Sequence, residues 1–441
     1  MPDYQPPNDI LDVLQAIEFE EALGPNDPRR IDTRAARGSE RTLDRLARKL
    51  GYLMGSERFV PPMQRHVLFF GHVGTGKTTE LKFYGATLQE SGFFLPVEVD
   101  VPSVLDRNNL QYADLIMAMA SALLKALEEA RIALPDKAFK ALENWFAQKV
   151  VTRANSDDFA LELKIGGEVQ TGLPWLGKIF ASVNSAFKSN ATYKEELRRV
   201  IRNTFSQLAE AFNDLIQGAE AALVETRGKP TVRVLFLVDG TDKLREEDRR
   251  RLFVEDTELL LAVNTLAIYT APIALKYEDA LAGRLDADLV LPMIKLEDAA
   301  GVRCDAGWKA MRDILLKRAD RSLFDTEMDI DRLIEHSGGH PRELLRLLQT
   351  CCEFADTRID ADVVTRAIAQ LASEYRRQLE PEDYARLVQI DGAPTDIGND
   401  ERTRRLLYRL ALLEYNDGSW RRSHPVIRTL EGYLLAKAAA P

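Results

Sequence analysis

The 441 residues are 45% apolar and 29% charged, with 59 Lys and Arg against 69 Asp and Glu for a formal net charge of −10. That length predicts two or three domains with at least one large core, and the ordinary composition excludes a collagen-like, disordered or disulfide-stapled chain. Three cysteines without a Cys-x-x-Cys pair argue against structural zinc, and the acidic balance argues against a surface that grips nucleic acid throughout, leaving only a local basic patch.

The amino-terminal MPDYQPPNDI has neither the basic start nor the apolar middle of a secretory signal, and the longest apolar runs, 234–238 and 259–263, are far too short to span a bilayer. A cytoplasmic protein is expected. Residues 10–23 read as a short amphipathic helix ending at the breaker run Gly24-Pro25-Asn26-Asp27-Pro28, and 40–53 as a second helix ending before Pro61-Pro62. Val67 to Phe70 is short and continuously apolar, as in a strand buried on both faces. A glycine loop, a helix through Leu81, Tyr84 and Leu88, and a strand over 94–101 follow.

Helical regions over 112–133 and 193–224 flank a segment in which Phe159, Leu161, Leu163 and Ile165 alternate with polar or small residues, the period of a half-buried strand. Residues 173–187 are apolar with Lys178 as the single charge, which suits packing against helices better than a membrane-surface or partner-binding element. Strands are predicted at 232–238, 267–270 and 289–294, so strands alternate with helices across 61–300 and point to a parallel α/β sheet. Beyond 300 the reading is helical, with helices at 308–318, 330–336, 342–354 and 361–379. A helix at 403–413, a turn at Asn416-Asp417-Gly418 and a last helix after Pro425 then suggest a winged-helix-like end. The predicted domains are 1–60, a helical leader; 61–300, a sheet core with a helical insertion at 112–228; 301–380, an all-α lid; and 381–441, the winged-helix-like module.

Gly71-His72-Val73-Gly74-Thr75-Gly76-Lys77-Thr78 has the spacing of a phosphate-binding loop, followed by Thr79. Gly71, Gly74 and Gly76 let the backbone curl so that its N–H groups, with that of Thr75, point inward, and the following helix offers its positive end. Lys77 would reach the outer phosphates of ATP, and the Thr78 hydroxyl would ligate Mg²⁺. In VRVLFLVDGTDKL, Asp239 ends an apolar strand, where a carboxylate can hold Mg²⁺ opposite Thr78, and Asp242 could polarise the attacking water.

These motifs, with a later strand ending in Tyr-Thr-Ala-Pro and Gly-Gly-His-Pro-Arg in a helical region, resemble P-loop ATPases of the AAA+/STAND type, with an origin-recognition-like layout. The resemblance implies sensor roles for Thr270 and Arg342, a position for Pro341 near adenine, and an adenine-side segment in IDTRAARG with Arg34 and Arg37 as candidates. Arg284 stands where relatives place an arginine finger for a neighbouring subunit, which implies a homo-oligomer. Most AAA+ hydrolases carry Glu directly after the strand-ending Asp, whereas this chain has Gly240, closer to the STAND switches, so the resemblance implies slow hydrolysis that times a state.

Arg402, Arg404, Arg405, Arg409, Arg421, Arg422 and Arg428 make the last module locally basic, a DNA-touching surface or, as a helix face more often is, a solvated one. Three roles follow: an ATP-driven switch acting on an unidentified protein partner, an ATP-dependent DNA loader or transposition-type regulator, and a defence-type STAND sensor. GTP in place of ATP stays open, since no guanine-specific motif is evident.

Overall fold

The computed structural model describes residues 4–105, 110–146, 148–149, 176–177, 191–278, 281, 285–396 and 398–440. Strands β1 (Arg65–Gly71), β2 (Phe94–Asp100), β3 (Arg233–Asp239), β4 (Leu266–Pro272) and β5 (Asp286–Val290) pair in parallel in the order β2-β3-β4-β1-β5. Alternate residues of each strand go to opposite cores. Val67, Phe69, Leu235, Leu237, Leu266 and Ile268 pack on one face, while Leu68, Phe70, Val234, Phe236, Ala267 and Tyr269 join the larger core on the other. Burial on both faces is why the strands read as unbroken apolar runs. Pro96 sits in β2, an edge strand, where its missing N–H costs no ladder bond.

The insertion contributes helices Tyr112–Glu129, Asp136–Phe146, Ala191–Asn203 and Phe205–Arg227 to the larger core. Arg198 and Asp114, each 1% exposed, form a buried ion pair that clamps the third of these to the first. The predicted strand at 159–165 lies outside the described residues, as does nearly all of 173–187.

Beyond the sheet, helices Asp305–Leu316, Glu327–Ser337, Pro341–Phe354 and Ala361–Arg376 form the helical lid. Thr326 and Asp329 make a capping box, while Gly338 in the left-handed region ends that helix and Pro341 opens the next. The chain closes with helices Pro381–Gly392 and Glu401–Tyr408, an antiparallel hairpin of β6 (Leu412–Tyr415) and β7 (Trp420–Ser423), and helix Glu431–Ala439. The fold is thus an α/β P-loop type with a parallel sheet, a helical insertion, a lid, and a helix-hairpin-helix end.

Two expectations are corrected. The first helix stops at Ala16, not Leu23. Ile17 beyond it is extended, and Glu20 is ion-paired with Lys243 and Arg342. The helix expected over 403–413 ends at Tyr408, because Leu412 and Leu413 are taken into the hairpin, opposite Ser423 and Arg422. Helix Asp136–Phe146 and helix Pro381–Gly392 were not anticipated.

Candidate nucleotide site

The loop follows β1 and runs into helix Lys77–Glu90. Gly74 and Gly76 have φ of +92° and +96°, a conformation that side chains other than glycine adopt at a cost. Gly74 is also pressed by the lid: a Cβ there would lie 2.8 Å from His340 Cε1 and 2.9 Å from Arg342 Cβ. His340 caps the lid helix, its Nδ1 accepting from the Glu343 N–H at 3.2 Å while its Nε2 lies 3.0 Å from the Val73 carbonyl. Lid and loop are therefore joined by a side chain the motif reading passed over, although it stands in the quoted Gly-Gly-His-Pro-Arg.

Lys77 is 3% exposed. Its Nζ donates to the Gly71 and His72 carbonyls at 3.0 and 2.8 Å and pairs with the Asp242 carboxylate at 2.6 Å. The Thr78 hydroxyl is 2.9 Å from both Asp239 carboxylate oxygens, so the two groups expected at Mg²⁺ are brought together across the sheet. β4 lies between β1 and β3 and places Thr270 at their centre, fully buried. Its Oγ accepts from the Gly240 N–H at 3.0 Å and donates to Asp242 at 3.3 Å.

The two aspartates are tuned apart. Burial, then the neighbouring Asp242, pushes the Asp239 carboxyl above the usual carboxylate range. Burial acts to raise Asp242, but the Lys77 ammonium, with Lys243 and the Thr270 hydroxyl, more than offsets it and the group lies below its ordinary value. A buried carboxylate raised in this way is an open demand for a cation, which fits Mg²⁺ at Thr78 and Asp239. Among the described residues no cluster of three or more His, Cys, Asp or Glu could hold a metal alone, so phosphate oxygens and water would complete that shell.

A cleft enclosing about 980 Å³, partly open to solvent, lies between loop, lid and leader. Thr75, Thr78, Thr79, Asp242, Pro341, Arg342 and Arg37 all border it. Arg37 plays a different part from the one expected of it. Its guanidinium is buried, donating to the Thr33 hydroxyl and to the carbonyls of Pro292 and Thr75 at 2.8, 2.5 and 2.7 Å, so it holds the loop backbone in place. Burial lowers its pKa to about 10. Arg34 is turned to Asp32 and does not border the cleft. Arg284 lies outside the described residues.

Leader residues 18–23 form one wall of the cleft, which sequence reasoning missed because an acidic run carries no phosphate signal. Glu20 bridges Lys243 of the core and Arg342 of the lid, the latter at 3.3 Å. Gly240 also gains a structural reason. Its φ is +81°, and a Cβ there would lie 2.2 Å from Pro102 Cδ, so this backbone has no room for a glutamate at that position.

No protein-family profile matches the chain, and no curated protein matches it. Solved structures similar to it include a Walker-type ATPase of Pyrococcus abyssi, at 13% identity over 93% of this chain and 98% of that one, with a TM-score of 0.42. The Orc1 protein of Aeropyrum pernix in complex with DNA is 16% identical over 89% and 82%, with a TM-score of 0.36. RuvB of Thermotoga maritima is 14% identical over 94% and 99%, with a TM-score of 0.35. Identities and TM-scores this low carry no argument about this chain's family, substrate or partner.

Proposed function

We propose that the protein is a Mg-dependent ATP-binding switch that hydrolyses ATP slowly, its lid closing on the nucleotide and its state read by a partner or by further copies of the chain. The observation that carries this reading is the meeting of Lys77, Thr78, Asp239, Asp242 and Thr270 at the ends of three parallel strands under the lid's His340 and Arg342. On this reading the domains are the leader to residue 60, the core to 300, the lid to 380 and the hairpin module beyond.

Phosphates entering the loop take the Lys77 ammonium from Asp242. Asp242, still held by Thr270, is then free to accept a hydrogen bond from water. Mg²⁺ would be held by Thr78 and Asp239 and would supply charge neutralisation on the outer phosphates. Arg342, whose buried Nε has no partner among the described residues, is the lid's donor to the phosphates. The lack of an acid at Gly240 supports slow turnover. Arg284 remains the proposed finger, and an assembly that forms with ATP and not with ADP, seen by light scattering, is its expected sign.

DNA loading is the weaker reading, because the arginines proposed for it are engaged within the chain. Arg421 is 1% exposed and paired with Glu414 at 2.8 Å, and Arg422 pairs with Glu297 at 2.7 Å. Measuring ATP affinity of the native chain and of Lys77→Ala tests the main proposal: a loss of at least about 100-fold is expected from removing the phosphate-binding ammonium. Equal binding by both would overturn it.

A further inference from the structure

Beyond β3 the short helix Glu246–Arg250, and beyond β4 the turn Ile273–Tyr277, face helix Glu401–Tyr408 across a second cleft. It encloses about 1860 Å³ of space partly open to solvent, and arginines dominate its wall. Arg402 and Arg405 need no ligand, since each is bridged to Asp383 at 2.7 Å. Arg249 is different. It is 5% exposed, and its Nε and Nη1 are enclosed with no hydrogen-bond partner among the described residues. Its guanidinium lies 4.7 Å from the centre of the Tyr408 ring. The Glu278 carboxylate is within electrostatic reach of Arg249 but makes no hydrogen bond to it, and a ring face replaces only part of the hydration that a buried guanidinium loses, so two N–H donors are left without an acceptor. Beside it Arg404 donates to a neutral group, the Tyr277 carbonyl, at 3.3 Å, and Arg250 projects largely into solvent.

We propose that this cleft is a second binding site, for a small phosphorylated ligand whose phosphate is held by Arg249 and Arg404. Arginine suits this chemistry, because its planar fork donates two parallel hydrogen bonds to phosphate oxygens. Glu246 and Glu278 on the same wall are acceptors for hydroxyl or amino groups next to the phosphate, as on a sugar phosphate or a nucleotide. Burial and then Glu246 raise the Glu278 carboxyl above its ordinary range. A small ligand is favoured over nucleic acid because Arg249 lines a recessed cleft and its enclosed Nε and Nη1 meet a ligand only when the guanidinium turns toward a group already inside it, whereas a duplex presents its phosphates on a convex surface. Both core walls continue directly from β3 and β4, which carry Asp239 and Thr270 to the loop.

Tripolyphosphate is the probe, titrated calorimetrically against the full chain carrying Lys77→Ala, which weakens phosphate binding at the loop. One saturable site should remain. Adding Arg249→Gln should weaken it by at least about tenfold, the loss expected of a charge-assisted bond, and adding Arg404→Gln several-fold. Arg404 is partly exposed, so its variant keeps the test valid if Arg249→Gln perturbs folding. Arg249→Lys, with the charge but not the fork, should bind between the two. The proposal is overturned if no saturable binding remains, if the remaining binding ignores both arginines, or if a single-stranded oligonucleotide binds through them and tripolyphosphate does not compete. Because the readout uses the Lys77→Ala chain, failure here leaves the ATP-switch reading untouched, and failure of that reading leaves this one standing.

Discussion

The nucleotide cleft and the arginine-rich hairpin module both concentrate charge, yet they hold it in opposite ways. In the hairpin, Arg421 gives its guanidinium to Glu414, to the Gly398 carbonyl and to the Asn399 side chain, and lies over the Tyr277 ring. Tyr277 completes the group by donating to the same Glu414 carboxylate at 2.7 Å. Every strong interaction there is internal. In the cleft the partners are exchangeable: Lys77 leans on Asp242, Arg342 on an exposed leader glutamate, and Asp239 on a hydroxyl. Charge that is fully paired within the fold serves stability, and charge held by a replaceable partner is available to a ligand. An arginine count read from sequence cannot tell these apart.

The two arginines Arg421 and Arg342 give the largest contrast. Arg421→Ala leaves the buried Glu414 carboxylate without its cation, held only by the Tyr277 hydroxyl, and should cost about 3–5 kcal/mol in urea denaturation. Arg342→Ala should change stability little and weaken ATP binding instead. A stability loss for Arg421→Ala no larger than that for Arg342→Ala would erase the distinction.

Next in size is an acid effect on the contacts that join loop, lid and hairpin through buried imidazoles. His72, whose Nε2 accepts from the Glu414 N–H at 2.9 Å, is lowered to about 3 by burial and by Lys77, and His424 to about 3 by burial and by Arg428. His340 is lowered as well, first by burial. Their unfolded pKa is about 6.5, so below that pH the unfolded chain binds protons that the native state refuses. Stability contributed by these groups is therefore complete above about pH 6.5 and declines from there down to about 3. Asp239, Glu80 and Glu220, raised by burial, act in the opposite sense. Melting temperature followed from pH 7 to 5 should fall, and His424→Gln should flatten the curve. A slope unchanged in that variant would remove His424 from the account.

The sheet was legible because most of its strands are buried on both faces: four apolar runs were found within a few residues of their observed ends, while the strand expected at 289–294 overlaps β5 only at Leu289 and Val290, because β5 begins at the polar Asp286. The places of the loop after β1, of Asp239 at the end of β3 and of Thr270 in β4 were legible because the glycine spacing and the apolar runs mark a strand–loop–helix and strand ends. What escaped reading depends on tertiary partners. Arg37 resembled an adenine contact in sequence, but its three bonds to distant backbone and side chain make it a brace. The first helix had the periodicity to continue beyond Ala16, yet it stops there, and Glu20 beyond it pairs with Lys243 and Arg342 instead.

Those cations give the smallest expected effect. Glu20 is 54% exposed on its side chain and holds Arg342 at 3.3 Å while also pairing with Lys243, so a nucleotide's terminal phosphate must compete with a carboxylate for both. The leader is fixed on either side of this point, Ile10 and Val13 against the lid core and Arg30 to Glu80 of the loop helix at 3.7 Å, so Glu20 returns whenever the phosphate leaves. Exposed pairs contribute only about 0.2–1 kcal/mol each, which limits the competition to a few-fold. Glu20→Gln should therefore tighten ATP binding about two- to fivefold, with a smaller gain for ADP, since the diphosphate reaches less far toward Arg342. Equal gains for ATP and ADP would mean that Glu20 acts on the cleft as a whole and not on the terminal phosphate, and no gain would mean that Arg342 meets the phosphate without leaving Glu20.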